Sequence, residues 1–136
     1  MIGKLDAKLL EALVETLPLE FSIVDANDKV VAWNKHESRI FRRAKGVLGM
    51  DVRKCHPGHS LSKVEEILNG MKKGTLNKAR FWIDLSGKQD AKKQKVLIEY
   101  YALRDENGTY LGCLEASQNI TEIQSLTGEK RLLDSE

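Results

Sequence analysis

The sequence predicts an α+β domain: a five-stranded, mostly antiparallel sheet with helices on one face and a helix flanking each end. Three observations carry this. Five segments show strand patterning, and they do not alternate regularly with helices as a parallel sheet requires. Two connections are tight-turn sequences, Ala26-Asn27-Asp28 and Asp105-Glu106-Asn107-Gly108, which join antiparallel neighbours. The chain has 136 residues, 41% apolar and 31% charged, a size and balance that suit one globular domain with one core.

The elements follow in order. Leu5, Leu9, Leu13 and Leu17 recur at a spacing of four, widened by Leu10 and Val14, with Asp6, Lys8, Glu11 and Glu15 between them. This is an amphipathic helix over residues 5–17, stopped by Pro18. Its stripe suits packing on the domain or a dimer seam. In residues 19–25, Leu19, Phe21 and Ile23 alternate with Glu20 and Ser22, a strand that turns at Asn27-Asp28 and returns through Val30–Trp33. A short helix is expected over 37–43, its Arg39, Arg42 and Arg43 read as a solvated face. Gly46 and Gly49 bracket a short turn. A longer helix carries Val64, Ile67, Leu68 and Met71 on one face, with Ser62 and Glu65 as a capping box, Ser60 as the alternative cap and Gly74 as its stop. Strands follow at 78–85, 96–103 and 110–117. The lysine-rich connection at 86–95 reads as an exposed loop. Asn119-Ile120-Thr121-Glu122 opens a terminal helix to about Leu133. The division is a flanking helix at 1–17, a central domain at 18–121 and an exit helix and tail at 122–136.

Composition narrows the function. A net charge of +2 does not suit a strongly basic nucleic-acid binder. No apolar run approaches the roughly 20 residues that span a bilayer, and the first residues lack a signal-peptide core, so no membrane partner is expected and a cytoplasmic location is. Cys55 and Cys113 are too few for a disulfide framework.

Ligand-type side chains concentrate in Lys54-Cys55-His56-Pro57-Gly58-His59-Ser60, with His36 upstream. This stretch leads into the longer helix. Cys55, His56, His59 and His36 have the right donor types for zinc, but paired Cys-x-x-Cys spacing is missing and adjacent Cys55 and His56 rarely reach one ion together. Catalytic patterns are not apparent: the Cys–His pair has no orienting partner in sight, and no Ser-His-Asp set or phosphate loop occurs. The chain is therefore read as non-enzymatic. Phe21, Trp33, Phe41, Phe81, Trp82, Tyr100 and Tyr101 supply enough aromatic surface to line a cavity for a small molecule, or to fill a core.

The order of elements resembles a PAS domain. The points of likeness are Leu17-Pro18 leading into Phe21-Ser22-Ile23-Val24-Asp25, the turn Ala26-Asn27-Asp28-Lys29, the strand Val31-Ala32-Trp33-Asn34, the step Gly46-Val47-Leu48-Gly49-Met50, and Tyr110-Leu111-Gly112 followed by Ser117-Gln118-Asn119-Ile120-Thr121-Glu122. Asn119 stands where the family's exit signal has Asp, and it can still cap. Arg39-Ile40-Phe41-Arg42-Arg43, Cys55-His56-Pro57, Leu111–Gln118 and Gly128–Leu133 resemble the subgroup found C-terminal to DUF438 or hemerythrin-like regions in bacteria and archaea. The likeness covers roughly residues 17–133.

The resemblance implies a sensor or interaction module in signal transduction. Such a module binds a small ligand or a separate signalling protein and homodimerises, here through the 5–17 helix and part of the sheet face. The expected cofactor-binding residues are His59, His56, Cys55, Trp33, Phe41 and Tyr100. Haem-binding members use an axial histidine, so His59 or His56 would be the iron ligand here; alternatively both cap or pack the turn. A flavin photosensor is disfavoured, because Lys54-Cys55-His56-Pro57 does not match that class's reactive-cysteine segment. A structural dimerisation domain without ligand is the further alternative.

Overall fold

The computed structural model describes residues 2–86 and 93–133. Helix α1 (Ala7–Thr16) leads into strands β1 (Glu20–Asp25) and β2 (Val30–Trp33). Three short 3-10 turns follow, at His36–Ser38, Lys45–Val47 and Val52–Cys55, before helix α2 (Gly58–Lys73). Strands β3 (Lys78–Leu85), β4 (Gln94–Arg104) and β5 (Tyr110–Asn119) complete the chain, with a last 3-10 turn at Ile123–Ser125. The sheet order is β2-β1-β5-β4-β3, antiparallel throughout. The expected sheet is therefore present, and the first and last strands lie side by side at its centre.

Both tight turns work through one aspartate each. Asp25 Oδ1 accepts from the amides of Asn27 and Lys29 at 2.9 and 3.0 Å. Asp105 Oδ1 accepts from Asn107 and Thr109 at 2.9 Å. Such local side-chain bonds hold the turn before any tertiary contact forms.

The core lies between α2 and one sheet face. Val64, Leu68 and Met71 of α2 meet Val24, Val96, Ile98, Tyr100 and Cys113. Met71 has no exposed surface. On this inner face each strand places every second residue. The opposite face carries Phe21, Ile23, Tyr101, Leu103, Leu114 and Ala116, which with Leu17 and Leu19 line an apolar groove of about 390 Å³. The alternation Leu19, Phe21, Ile23 that marks β1 therefore points away from α2, and Glu20 and Ser22 point toward it.

Several local expectations differ. No helix spans 37–43: after the turn at His36–Ser38 the chain is extended at Arg39 and bends at Ile40-Phe41, and Arg39 turns inward to ion-pair with Glu20 at 3.0 Å. Helix α2 begins at Gly58, with Pro57 at the cap position, so Ser62 and Glu65 form no capping box and Glu65 instead bonds Arg53 at 2.9 Å. Proline at this boundary removes an amide that would have no partner anyway. Its other end follows expectation: Gly74 adopts φ 79° and closes the helix on the Gly70 and Met71 carbonyls. The segment after Asn119 makes only the turn at Ile123–Ser125, not a helix to Leu133, and Leu126, Leu132 and Leu133 are exposed. Most of the lysine-rich connection, residues 87–92, lies outside the described residues.

Helix α1 is attached at one end. Asp6 caps it, accepting from the Leu9 amide at 2.8 Å. None of its residues is buried. Its last turn is held by Asn34, whose side chain is completely enclosed. Asn34 Nδ2 donates to the Val14 and Leu19 carbonyls, and its Oδ1 accepts from the Phe21 amide. Lys35 adds bonds to Glu15 through its amide and its ammonium. Asn34 thus ties α1, the Pro18 turn and β1 together.

Candidate functional site

Register determines which inner-face side chains meet. Ser22 of β1 sits opposite Glu115 of β5, and Glu115 sits opposite Tyr100 of β4. Tyr100 faces Ala79, and Ile98 faces Phe81, on β3. Above these the extended chain after Arg39 supplies Phe41 and Arg43, and the segment leading into α2 supplies Cys55, His56 and Pro57. With Glu115, Tyr100, Ile98 and Phe81 of the sheet these segments line a partly open cavity of about 670 Å³, bordered also by Ile40, Arg42, His59, Ser60 and Ile83. A smaller recess of about 350 Å³ shares His56, Ser60, Phe81 and Tyr100 with it. These sizes fall in the range of small-molecule pockets.

The cavity has an apolar body and a small polar cluster. Phe81 and Tyr100 stack with ring centroids 5.8 Å apart. Ile83, Ile98 and Phe41 extend this surface. Arg43 Nη2 donates to Glu115 Oε2 at 3.2 Å, and the two side chains are only 10% and 14% exposed. Arg43 Nε and His56 Nε2 are both buried, and neither has a hydrogen-bond partner among the described residues. Buried nitrogens without partners are uncommon in folded proteins, because desolvation is then uncompensated.

Burial favours the neutral forms of His56, Cys55 and Tyr100 beside this cluster. Burial lowers the pKa of His56 below its ordinary 6.5, Glu115 acts to raise it and Arg43 to lower it further; the imidazole is therefore uncharged at neutral pH. Burial pushes the Cys55 thiol up, away from the thiolate a nucleophile needs. Burial also pushes the Tyr100 hydroxyl well up, with the nearby Glu115 charge adding to it. Cys113, in the core, is pushed up to about 12 for the same reason.

The sequence-predicted residues separate into two groups. His56, Cys55, Phe41 and Tyr100 line the cavity, and His59 borders it as an exposed residue of the first turn of α2. Trp33 does not reach it. Its Nε1 donates to His36 Nδ1 at 3.0 Å, and both border a separate depression with Val31 and Leu48. His36 is therefore not brought to Cys55, and among the described residues no group of three or more His, Cys, Asp or Glu side chains could hold a metal ion. Neither member of the cavity's ion pair was singled out from the sequence as a site residue. Arg43 was read as part of a solvated face, and Glu115 had no signal; they are 72 positions apart, and only β5 pairing beneath the extended chain brings them together.

This arrangement, a five-stranded antiparallel sheet with short helical turns and one long helix lining a cavity, agrees with the sequence comparison. The family profile described as "PAS domain" matches residues 10–121. The chain belongs to the PAS domain family. PAS domains are typically sensory modules of signalling proteins and are generally non-catalytic.

Among solved structures, this PAS domain is similar to a C-terminal domain from Streptococcus mutans, at 26% identity and a TM-score of 0.80, covering 93% of this chain and 96% of that one. It also resembles the PAS domain of a Colwellia psychrerythraea protein (17% identity, TM-score 0.59, 85% and 97% covered). A third likeness is the PAS domain of BvgS from Bordetella pertussis (15% identity, TM-score 0.61, 84% and 85% covered). These last two share the fold. No curated protein sequence matches the PAS domain significantly. Among the described residues, no helix is long and apolar enough to cross a membrane.

Proposed function

We propose that this PAS domain is a non-enzymatic sensor module that binds a small organic ligand in the cavity between the sheet and α2. The observation that carries this is the pair of buried, unpartnered nitrogens, Arg43 Nε and His56 Nε2, belonging to residues that line a cavity with an apolar body. A filled structural core has no use for such groups, whereas a ligand supplies their partners. The test is an NMR screen of the isotopically labelled protein against small aromatic fragments. Binding fragments should shift the amides of Phe41, Ile98, Tyr100 and Glu115. Shifts confined to the outer sheet face, or none, would refute the reading.

A second reading has one observation in its favour. The free Nε2 of His56 is of the type that ligates haem iron, whereas His59 is exposed. Protein purified with haem supplied is expected to show no Soret band. A band that is lost in His56→Ala would assign the cavity to haem instead.

We further propose that the domain homodimerises through α1 and the outer sheet groove, as one apolar surface covered by a second copy. Leu9, Leu10 and Leu13 are 55%, 46% and 47% exposed on a helix with no buried residue, and Leu17 at its end already lines the groove. Aligned apolar stripes of this kind mark interaction surfaces. Leu9→Asp with Leu13→Asp should convert a dimer to a monomer by light scattering, with the sheet's circular dichroism unchanged. A wild-type protein that is monomeric at high micromolar concentration would overturn it.

A further inference from the structure

We infer that the cavity selects an uncharged ligand: a flat apolar body carrying a polar end that includes a hydrogen-bond acceptor. This rests on the reading of the cavity as a ligand site and specifies which ligand chemistry it takes.

The argument is one of charge balance. Among the described residues, the cavity's one enclosed cation, Arg43, is matched by its one enclosed anion, Glu115, at 3.2 Å. Arg42 also borders the cavity but is exposed, where water and salt screen it. A carboxylate ligand accepting from Arg43 Nε would set two buried carboxylates, its own and that of Glu115, against one guanidinium. A cationic ligand would set two cations against the one Glu115 carboxylate. Either outcome leaves an uncompensated buried charge, which is strongly unfavourable. An uncharged ligand leaves the pair intact.

The hydrogen-bonding groups left over describe the polar end. The guanidinium has donors and no acceptor, so Arg43 Nε asks for an acceptor atom. Neutral imidazole Nε2 can give or accept one bond according to its tautomer. A carboxamide, a cyclic amide or a heteroaromatic ring with adjacent nitrogen and oxygen atoms meets both. Phe41, Phe81 and Tyr100 supply the surface for a flat body, and stacked rings favour it beyond simple burial.

The test uses three probes of nearly one shape and different charge: benzamide, benzoate and benzamidine. Each is titrated into the labelled protein at neutral pH and followed by the amide shifts of Phe41, Tyr100 and Glu115. Benzamide should bind at least about tenfold more tightly than either ion, a ratio equivalent to 1.4 kcal/mol. Two variants then move the preference in opposite directions. Arg43→Met leaves Glu115 alone and should favour benzamidine over benzoate. Glu115→Gln leaves Arg43 alone and should favour benzoate over benzamidine. If a variant fails to fold, the wild-type ratios decide. Benzoate or benzamidine binding as well as benzamide at these residues overturns the inference and leaves the cavity reading standing. If none of the three shifts cavity amides and the broader fragment screen is also silent there, the cavity reading itself falls.

Discussion

Gly112→Ala is expected to destabilise the domain by about 3 kcal/mol, the upper end of what overpacking costs. A β-carbon at this position would lie 2.3 Å from the Val24 carbonyl oxygen and 3.2 Å from the Asp25 α-carbon. Both are backbone atoms of β1, so no side-chain rotation relieves the contact. Gly112 pairs with Asp25 on one side and Leu103 on the other. The clash can be removed only by parting the two central strands, which loosens the sheet where the first and last strands join. Gly46→Ala is the matched control: nothing lies within 4 Å of its added β-carbon, and a change within about 0.5 kcal/mol is expected. Urea denaturation of both variants measures the difference, and a Gly112→Ala midpoint equal to that of the control would show that the strands tolerate separation.

Arg39→Met should be as damaging or more so, at about 3–5 kcal/mol. The Arg39 and Glu20 side chains are 2% and 3% exposed. Arg39 also donates to the carbonyls of Phe21, Asn34 and Phe41 and to Ser22 Oγ. Burial lowers its pKa, and the Glu20 charge acts against that shift, so the pair's attraction works against a real desolvation penalty. Removing the arginine leaves Glu20 buried with, among the described residues, only the Ile40 and Phe41 amides as donors. Combining Arg39→Met with Glu20→Leu should recover a large part of the loss, since the remaining partner is what makes a single substitution costly. Chemical denaturation of the two variants tests this. A loss under 1 kcal/mol for Arg39→Met, or a double variant worse than the single, would contradict it.

These two positions show where the sequence is readable and where it is not. The strands were legible because their alternation is local, and the turns at Asp25 and Asp105 because each aspartate bonds amides two and four residues on. What alternation does not state is which face is the core. In β1 the apolar set Leu19, Phe21 and Ile23 takes the outer face, and the polar Glu20 and Ser22 take the inner one; only the distant Arg39 makes that orientation affordable. The arginines at 39 and 43 resemble a solvated cluster in sequence, yet each is drawn inward by a carboxylate, Glu20 and Glu115, from a different strand. A pairing across 72 residues leaves no spacing signal. The Cys55–His59 stretch was legible as a place where ligand-type groups gather, and His56 does line the cavity. That Trp33 turns to His36 instead was not, because it depends on where the 3-10 turn at His36–Ser38 sets that ring.

The single-ended attachment of α1 has a thermodynamic consequence. A helix of ten residues is too short to persist in water on its own sequence preferences, and this one places no residue in the core. Its order therefore draws on the Asn34 and Lys35 bonds at one end and on whatever covers its leucines along the rest. In the homodimer proposed above, folding of α1 and association of its apolar face would be a single linked equilibrium: dilution should melt the helix, and a second copy should refold it, while the sheet and α2 remain intact. Helicity at residues 7–16 becomes a reporter of occupancy, readable as hydrogen exchange that slows with protein concentration in this segment alone.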